Sequence, residues 1–312
     1  MPSKISVIIP CYNEEEKIED CLNAFLKQSS IPDEIIAVDG GSTDKTVKII
    51  KSYQKKNKRI KLFRETGRRS PANARNIGWK KATGDIIIFK DADTIPDKNY
   101  VSTVKKNFSG DVVEFPVKSF LKNNVSFLEK LLFYRESSTE KMHETIFSKK
   151  FIKKIGGYNA KLGVGEDMEL KSRINTDIKK SNAVLNVAFS RVSSIYEFVK
   201  RYLWYGRTIP NYIYQTKNVL SFIRATISVS IFLLPLLLIL SRYEIFFYLF
   251  LLSIGAVILF GFVRGFSILE KYKLPEAIFI LPLIEIISFL ALGIGIFIGI
   301  IQRITGKFNL GR

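Results

Sequence analysis

Cysteine and histidine are scarce in this chain of 312 residues. It contains two cysteines, Cys11 and Cys21, and one histidine, His143. Two cysteines make neither a disulfide framework nor a zinc motif, and so few thiols are typical of a reducing compartment. His143 has no ligand partner nearby in sequence, so we assign it no chemistry. We expect both cysteines to be small core residues.

A signal-peptide pattern and early hydrophobic runs are also absent. The strand-like segment Ile5–Ile9 is followed by Pro10 and then by the acidic residues 14–16, which is the wrong order for a signal peptide. No long apolar stretch occurs before Arg224. We therefore expect the first part of the chain to remain in the compartment where it is made.

Charged residues are scarce after Arg224. The charge-free stretches are residues 225–241, 245–263 and, apart from Glu285, 277–302. About 20 apolar residues cross a bilayer core, so we predict two spans. They are Ile223–Leu240 and Ile245–Val263. The third segment, Ala277–Ile301, contains Pro282 and three glycines, and it either spans the bilayer or re-enters it.

Lysine and arginine dominate the charged residues, and the formal charge is +19. Such a charge suits an anionic membrane surface or phosphorylated substrates, and with apolar spans present no nucleic acid partner is needed. Basic residues crowd before Ile223 and recur at Arg264, Lys271 and Lys273. By the positive-inside tendency, we predict a multi-pass protein of the cell membrane whose N-terminal domain is cytoplasmic.

The N-terminal part alternates short apolar runs with amphipathic segments. Strands are predicted at Ile5–Ile9, Glu34–Val38, Ile60–Phe63 and Ile86–Phe89, each joined to the next by a helix. This alternation predicts an α/β fold with a mostly parallel sheet and helices on both faces. A later helix, predicted at about 195–215 and rich in aromatic residues, is expected either in the membrane interface or as a surface helix with core-facing aromatics.

Ligands of parallel sheets bind beyond the carboxyl ends of the strands, and acidic residues follow several of the predicted strands. Asp91 and Asp93 come directly after a buried strand, and two such carboxylates can hold Mg²⁺ or Mn²⁺ together with diphosphate oxygens. An isolated pair of this kind is more often a solvated turn, and its position at a strand end favours the metal site. Asp39 ends the second strand, where it could accept hydrogen bonds from a base or ribose, or simply form a turn.

Two further residues are candidates with a plain structural alternative. Arg75 lies in a helix just before the fourth strand, where it could pair with Asp39 or a phosphate, or be a surface arginine. Asp167 begins a helix, where capping alone would explain it. Its functional interpretation is a general base that takes a proton from an acceptor hydroxyl.

Five sequence blocks, in order, resemble those of the family 2 glycosyltransferases, which have the GT-A fold. They are VIIPCYNE at 7–14, EIIAVDGGSTD at 34–44, ARNIG at 74–78, GDIIIFKDADT at 84–94 and GED at 165–167. The resemblance implies an inverting, metal-dependent hexosyltransferase that uses a nucleotide-sugar such as a UDP- or GDP-sugar. It implies these positions: Pro10, Tyr12, Glu14 and Asp39 around the nucleotide, Asp91 and Asp93 at the metal and diphosphate, and Asp167 as base. We group Arg75 with the nucleotide-sugar-binding residues.

A membrane anchor suggests a lipid or lipid-linked acceptor. Processive relatives carry Gln-x-x-Arg-Trp, and the corresponding segment 200–207 departs from it, so we expect no polymer synthesis. Arg201, Trp204 and Arg207 are candidates for acceptor or diphosphate binding. A base at Asp167 favours a hydroxyl acceptor over a phosphate, which hardly needs one.

Two alternatives stay open. One is a polyprenyl-phosphate glycosyltransferase of the dolichyl-phosphate type, and the other is a membrane scaffold without activity. In each case we divide the chain into a GT-A domain at residues 1–215, which includes the helix at about 195–215, and a membrane domain at residues 216–312.

Overall fold

The structure is a computed structural model that describes residues 3–67, 69–121, 125–137, 143–189, 194–216, 219–241 and 244–305. By its contacts the chain divides into two compact units. Met1–Asn124 and Lys141–Arg191 belong to the first, here called the α/β unit, and Val125–Glu140 and Val192–Leu310 to the second, here called the helical unit. These units divide the chain differently from the predicted boundary at residue 215, because the helix predicted at 195–215 belongs to the helical unit.

The elements alternate at first and are helical at the end. The strands are β1 (Ile5–Cys11), β2 (Glu34–Asp39), β3 (Ile60–Arg64), β4 (Ile86–Phe89), β5 (Thr94–Pro96), β6 (Val112–Phe120), β7 (His143–Ser148), β8 (Lys179–Lys180) and β9 (Leu185–Phe189). The helices are α1 (Ile18–Leu26), α2 (Thr46–Lys56), α3 (Pro71–Lys81), α4 (Tyr100–Asn107), α5 (Phe127–Ser137), α6 (Lys149–Lys154), α7 (Glu166–Ser172), α8 (Ile195–Thr216), α9 (Val219–Ser241), α10 (Glu244–Tyr272) and α11 (Ala277–Ile304). All four predicted strands are confirmed.

Four parallel strands form one half of the sheet, in the order β3-β2-β1-β4. The chain runs outward from β1 to β3 and then returns to the other side of β1 with β4, so the strand order reverses there. Beyond β4 the pairing is mixed, because β7 is antiparallel to both β4 and β6 while β9 is parallel to β6. The predicted parallel order therefore describes the first half of the sheet, and the second half is mixed.

Helices cover both faces of the parallel strands, as predicted, because these strands are apolar on both sides. On one face Val7 and Ile9 pack in a core with residues of α1, α2 and α4. On the other face Ile8 packs with residues of α3 and α6. Gly78 allows α3 to lie directly on β1, since a Cβ at this position would collide with the Ile8 side chain. Cys11 and Cys21 are buried free thiols, which agrees with the expected core role.

Strand β1 continues through Pro10, where the sequence predicted its end. The Ile8 carbonyl accepts a hydrogen bond from the Lys90 amide, on the β4 side of the strand. Pro10, two residues later, directs its backbone to the same side, and there the pairing with β4 has already ended at Ile8 and Phe89. The missing N–H of Pro10 therefore costs no sheet hydrogen bond.

A buried carboxylate links the parallel strands near their amino-terminal ends. Glu34, at the start of β2, accepts hydrogen bonds from Ser6 Oγ at 2.6 Å, from Lys61 Nζ at 2.6 Å and from Thr83. Burial disfavours the charged carboxylate, but these donors outweigh it and lower the pKa of Glu34 to about 2. Both oxygens of Glu34 are thus used in holding β1, β2 and β3 together.

Glycines bring the helices of the helical unit into backbone contact. A Cβ added at Gly265 of α10 would lie 2.6 Å from the Ile278 Cα of α11, and one at Gly206 of α8 would lie 2.8 Å from the Gly295 Cα of α11. Small residues at such crossings let apolar helices gain dispersion contacts along their backbones. The aromatic residues of α8 contribute to this packing, since Phe198 and Tyr202 are buried.

Two helices, α10 and α11, are long and apolar enough to cross a membrane. Helix α11 is unbroken from Ala277 to Ile304, although it contains Pro282. Helix α9, Val219–Ser241, covers the first predicted span. The span predicted at Ile223–Leu240 stays a prediction, and the third segment has the form of a continuous helix.

We expect Gly265→Ala to weaken the helical unit and Gly255→Ala to leave it intact. Both glycines lie in α10, but a Cβ at Gly255 meets nothing within 4 Å. The Gly265 variant should lose about 1–3 kcal/mol, as overpacked sites do. Thermal unfolding of the full chain in detergent micelles measures the difference, and equal melting temperatures for the two variants would contradict this packing.

Candidate functional site

The carboxyl ends of three neighbouring strands place the predicted residues along one edge of the α/β unit. Cys11, the last residue of β1, pairs with Asp39, the last residue of β2. On the other side of β1, Ile8 pairs with Phe89, so Asp91 follows the end of β4. Tyr12, Asp39 and Asp91 therefore lie at the carboxyl ends of adjacent strands. The convergence that the topology predicted is present.

Asp39 organises the loop that follows β2. Its side chain is buried, and its carboxylate accepts hydrogen bonds from the Gly41 amide at 3.0 Å and the Ser42 amide at 3.0 Å. Gly41 has φ +89°, a left-handed conformation that favours glycine. A carboxylate has about four lone-pair sites, so Asp39 retains capacity for a ligand hydroxyl or amine.

The loops after β1 and β2 are joined by hydrogen bonds. Asn13 accepts a bond from the Thr43 amide at 2.8 Å, and the Glu14 amide donates to Thr46 Oγ1 at 2.8 Å. Asn13 itself has φ 54°, which asparagine tolerates better than most residues. Pro10 and Tyr12 are partly exposed beside this junction. The predicted nucleotide residues thus lie at the ends of β1 and β2 and in the loop that follows β1, which is hydrogen-bonded to the loop after β2.

Arg75 joins two acidic segments that are far apart in sequence. Its Nη2 lies 2.7 Å from Asp91 Oδ1, and its Nη1 lies 2.5 Å from Glu166 Oε1. Burial opposes the charge, but the two carboxylates outweigh it and raise the pKa of Arg75. The sequence left Asp39 or a phosphate as possible partners of Arg75. Its carboxylate partners are instead Asp91 and Glu166.

Glu166 and Asp167 are adjacent in the first turn of α7 but differ in exposure. Glu166 is buried, and burial together with the charge of Asp167 raises its pKa, while Arg75 opposes the shift. Asp167 is exposed. A buried, ion-paired Glu166 fixes the start of the helix, and the Asp167 carboxylate is left accessible at the same place.

Asp91 and Asp93 are the carboxylates at the end of β4 that could hold a metal ion. The Asp91 side chain is 57% exposed, and Asp93 is half-buried. The described part of the chain contains no group of three or more histidine, cysteine or acidic residues arranged around a common point. Two carboxylates fit Mg²⁺ or Mn²⁺ nevertheless, because such ions take most of their oxygens from substrate phosphates and water.

Two basic residues beside the predicted site were not indicated as site residues by the sequence. Lys90 is buried directly before Asp91, donates to Glu144 Oε2 at 2.5 Å and lies 4.6 Å from the Tyr100 ring centroid. A charge at the end of an apolar strand was the available signal. Arg69 follows β3 and lies against Gly41, because a Cβ there would be 2.9 Å from the Arg69 Cζ. No sequence pattern indicated that position.

The predicted acceptor residues belong to the helical unit. Arg201, Trp204 and Arg207 all lie in α8. Trp204 is buried, whereas Arg201 and Arg207 are half-buried. Their assignment to acceptor or diphosphate binding stays a prediction.

Curated relatives match the N-terminal part of the chain. An uncharacterized glycosyltransferase of Haemophilus influenzae is 46% identical over 89 residues, which are 28% of this chain and 36% of that protein. The glycosyltransferase AglE of Haloferax volcanii is 33% identical over 112 residues, which are 35% of this chain and 37% of that protein. The matches therefore span little more than a third of the length of these relatives.

A solved structure is similar over nearly the whole chain. The mannosyltransferase PcManGT from Pyrobaculum calidifontis, determined with GDP-Man and Mn²⁺, is 16% identical with a TM-score of 0.53, and the match covers 99% of this chain and 89% of that one. This similarity confirms the expected GT-A type of α/β fold. The family described as Glycosyl transferase family 2 matches residues 6–161, half of the chain. The five sequence blocks, the strand order and the family match over residues 6–161 agree, and the chain belongs to glycosyltransferase family 2.

Proposed function

We propose that this protein is an inverting, metal-dependent glycosyltransferase that moves a sugar from a UDP- or GDP-sugar to a hydroxyl of a membrane-associated lipid or lipid-linked saccharide. The observation that carries the proposal is the bridge made by Arg75. It holds Asp91, beside which a diphosphate would bind, and the start of α7, where Asp167 is exposed. One side chain would thereby hold both the diphosphate-binding carboxylate and the start of the helix that carries the proposed base.

The donor nucleotide is assigned to the loops after β1 and β2. Asp39 would accept hydrogen bonds from the base or ribose, beside Pro10, Tyr12 and Glu14. The GDP-Man and Mn²⁺ in the similar mannosyltransferase structure support a nucleotide-sugar and a divalent ion.

Asp91 and Asp93 would hold Mg²⁺ or Mn²⁺. When bound, the ion neutralises charge that develops on the departing diphosphate. Arg75 would keep Asp91 oriented through its Nη2 group, because the planar guanidinium, held by Glu166 at Nη1, fixes the direction of its N–H donors.

Asp167 is proposed as general base. It would remove the proton of the acceptor hydroxyl while the oxygen attacks the anomeric carbon from the side opposite the nucleoside diphosphate. The carbon–oxygen bond to the diphosphate breaks as the new glycosidic bond forms, so one displacement inverts the configuration. Exposure of Asp167 beside buried Glu166 supports this division of roles.

The membrane assignment rests on the helical unit. Helices α10 and α11 meet the length and hydropathy required of spans. We propose a multi-pass protein with the α/β unit on the cytoplasmic side, since basic residues flank the predicted spans there. Arg201, Trp204 and Arg207 remain proposed contacts to the acceptor or the diphosphate.

The metal site is tested by Asp93→Asn, with the exposed Asp177→Asn as matched control. Transfer from UDP- and GDP-sugars is followed in membranes with Mn²⁺ or with EDTA. We expect chelation or Asp93→Asn to slow transfer by about 100-fold or more, since several kcal/mol of charge stabilisation are lost. Unchanged transfer by the Asp93 variant would exclude this metal site, and the absence of any transfer by the unaltered protein would favour the inactive scaffold.

The acceptor class is tested by Asp167→Asn. A hydroxyl acceptor requires the base, so transfer should fall by about 10²- to 10⁴-fold while donor binding persists. A polyprenyl phosphate is already anionic, so its glycosylation should tolerate the substitution, and the product should be labile to mild acid. Retained transfer with an acid-labile lipid product would therefore replace the hydroxyl acceptor with the polyprenyl-phosphate alternative.

The bridge is tested by Arg75→Gln alone and together with Glu166→Gln. The single variant leaves a buried carboxylate unpaired, which costs about 3–5 kcal/mol, and the double variant removes that penalty. We expect the melting temperature to recover in the double variant and sugar transfer to remain lost. The control is Arg64→Gln, an exposed arginine at the end of β3. A double variant with normal transfer would show that Arg75 serves stability only.

A further inference from the structure

Three arginines and one glutamate form a cluster inside the helical unit. Arg135 of α5 binds Glu285 of α11 through two parallel hydrogen bonds, both 2.8 Å long. Arg264 of α10 binds the same carboxylate at 2.7 Å. Glu285 is fully buried and Arg135 nearly so. With Arg224 of α9, these side chains form what we call the arginine cluster.

Arg224 is linked to the cluster by cation–π contacts with aromatic rings. Its guanidinium carbon lies 5.7 Å from the Tyr202 ring centroid and 5.4 Å from that of Phe289. Arg135 lies 5.4 Å from the same Tyr202 centroid and donates to the Tyr202 hydroxyl at 2.7 Å. Two guanidinium groups thus share one ring, which stabilises cations but does not neutralise them.

The cluster carries more positive than negative charge. The carboxylate of Glu285 is shared by two arginines, and Arg224 contacts no carboxylate among the residues that the structure describes. The Nε groups of Arg224 and Arg264 are both buried, and neither has a hydrogen-bond partner within the described ranges of the chain. Buried donors of this kind cost free energy unless an acceptor reaches them. An anionic group with several oxygens would satisfy them.

The position of the cluster along the helices indicates where that anion comes from. Arg224 directly precedes the charge-free stretch 225–241, and Arg264 directly follows the charge-free stretch 245–263. Gly261 and Gly265 of α10 meet Pro282 and Ile278 of α11, so these helices are antiparallel. The charges therefore collect at one end of the apolar stretches. In a bilayer that boundary is the level of the lipid phosphates.

We propose that the arginine cluster binds the phosphate or diphosphate group of a lipid. Guanidinium groups match phosphate oxygens with pairs of N–H donors. The inference deepens the proposed function by naming the group through which the membrane acceptor is held, and it rests on that function only for the role of the lipid as acceptor. Binding itself can be measured without turnover.

The test uses the full chain in dodecyl maltoside micelles. Titration calorimetry measures farnesyl phosphate and farnesyl diphosphate as probes, with farnesol as the neutral control. Variants are Arg224→Gln and Arg264→Gln. In both, Arg135 still holds Glu285 through two hydrogen bonds. The control is Lys271→Gln, an exposed cation on α10, the helix of Arg264.

We expect either phosphate probe to bind the unaltered protein and farnesol not to bind. Each arginine variant should weaken binding by about tenfold or more, as expected for the loss of a charge-assisted hydrogen bond. Lys271→Gln should not. Equal affinity in all variants, or farnesol binding as tightly as its phosphate, would overturn the proposal. If Arg224→Gln fails to fold, Arg224→Lys keeps the charge and should retain part of the affinity.

Two further measurements distinguish a lipid phosphate from a free phosphate, and the proposed lipid site from the proposed sugar transfer. Inorganic phosphate or pyrophosphate that displaces the farnesyl probe with similar affinity would make the ligand a free phosphate, and failure to displace it supports the lipid. Binding of UDP- and GDP-sugars with Mn²⁺ is measured in the same samples. If donor binding persists while no farnesyl phosphate binds, the lipid site is wrong and the proposed transfer stands. If only donor binding is missing, the proposed transfer is wrong.

Discussion

The ion pairs of Arg75 are the constraint on which the candidate site depends. Arg75 lies 16 residues from Asp91 and 91 residues from Glu166 in sequence, yet one guanidinium binds both carboxylates. A planar group with two separate N–H donors sets direction as well as distance. Asp167 is the residue after Glu166, so its position at the start of α7 follows from the same contacts.

Environment, more than residue type, separates the roles of the acidic side chains. Glu34 is buried with donors on both oxygens, which lowers its pKa and commits it to the sheet. Asp39 is buried too, but its partners are backbone amides of its own loop, so it shapes the surface that a ligand would meet. Asp167 is exposed in the first turn of α7. Three carboxylates of one unit are thus found in three different environments.

The helical unit combines two opposite requirements. Glycines bring its backbones into contact, which favours a dry, closely packed interior. Arg135, Arg264 and Glu285 place charge in that interior, where charge is stable only with partners. Removing one partner would leave another charge exposed to an apolar surrounding. The arginine cluster is therefore a specific feature of this unit.

The amino-acid sequence by itself determined the four parallel strands, the helices between them and the apolar character of the last third, because these features follow from local periodicity. It also indicated Asp39, Asp91 and Asp93, since strand ends in such a sheet converge by topology. Only the tertiary structure decided the mixed second half of the sheet, the partners of Arg75, and the burial of Lys90 against Glu144. Such contacts join residues whose spacing in the chain carries no signal, because the choice of partner depends on which strands and helices become neighbours once the chain has folded.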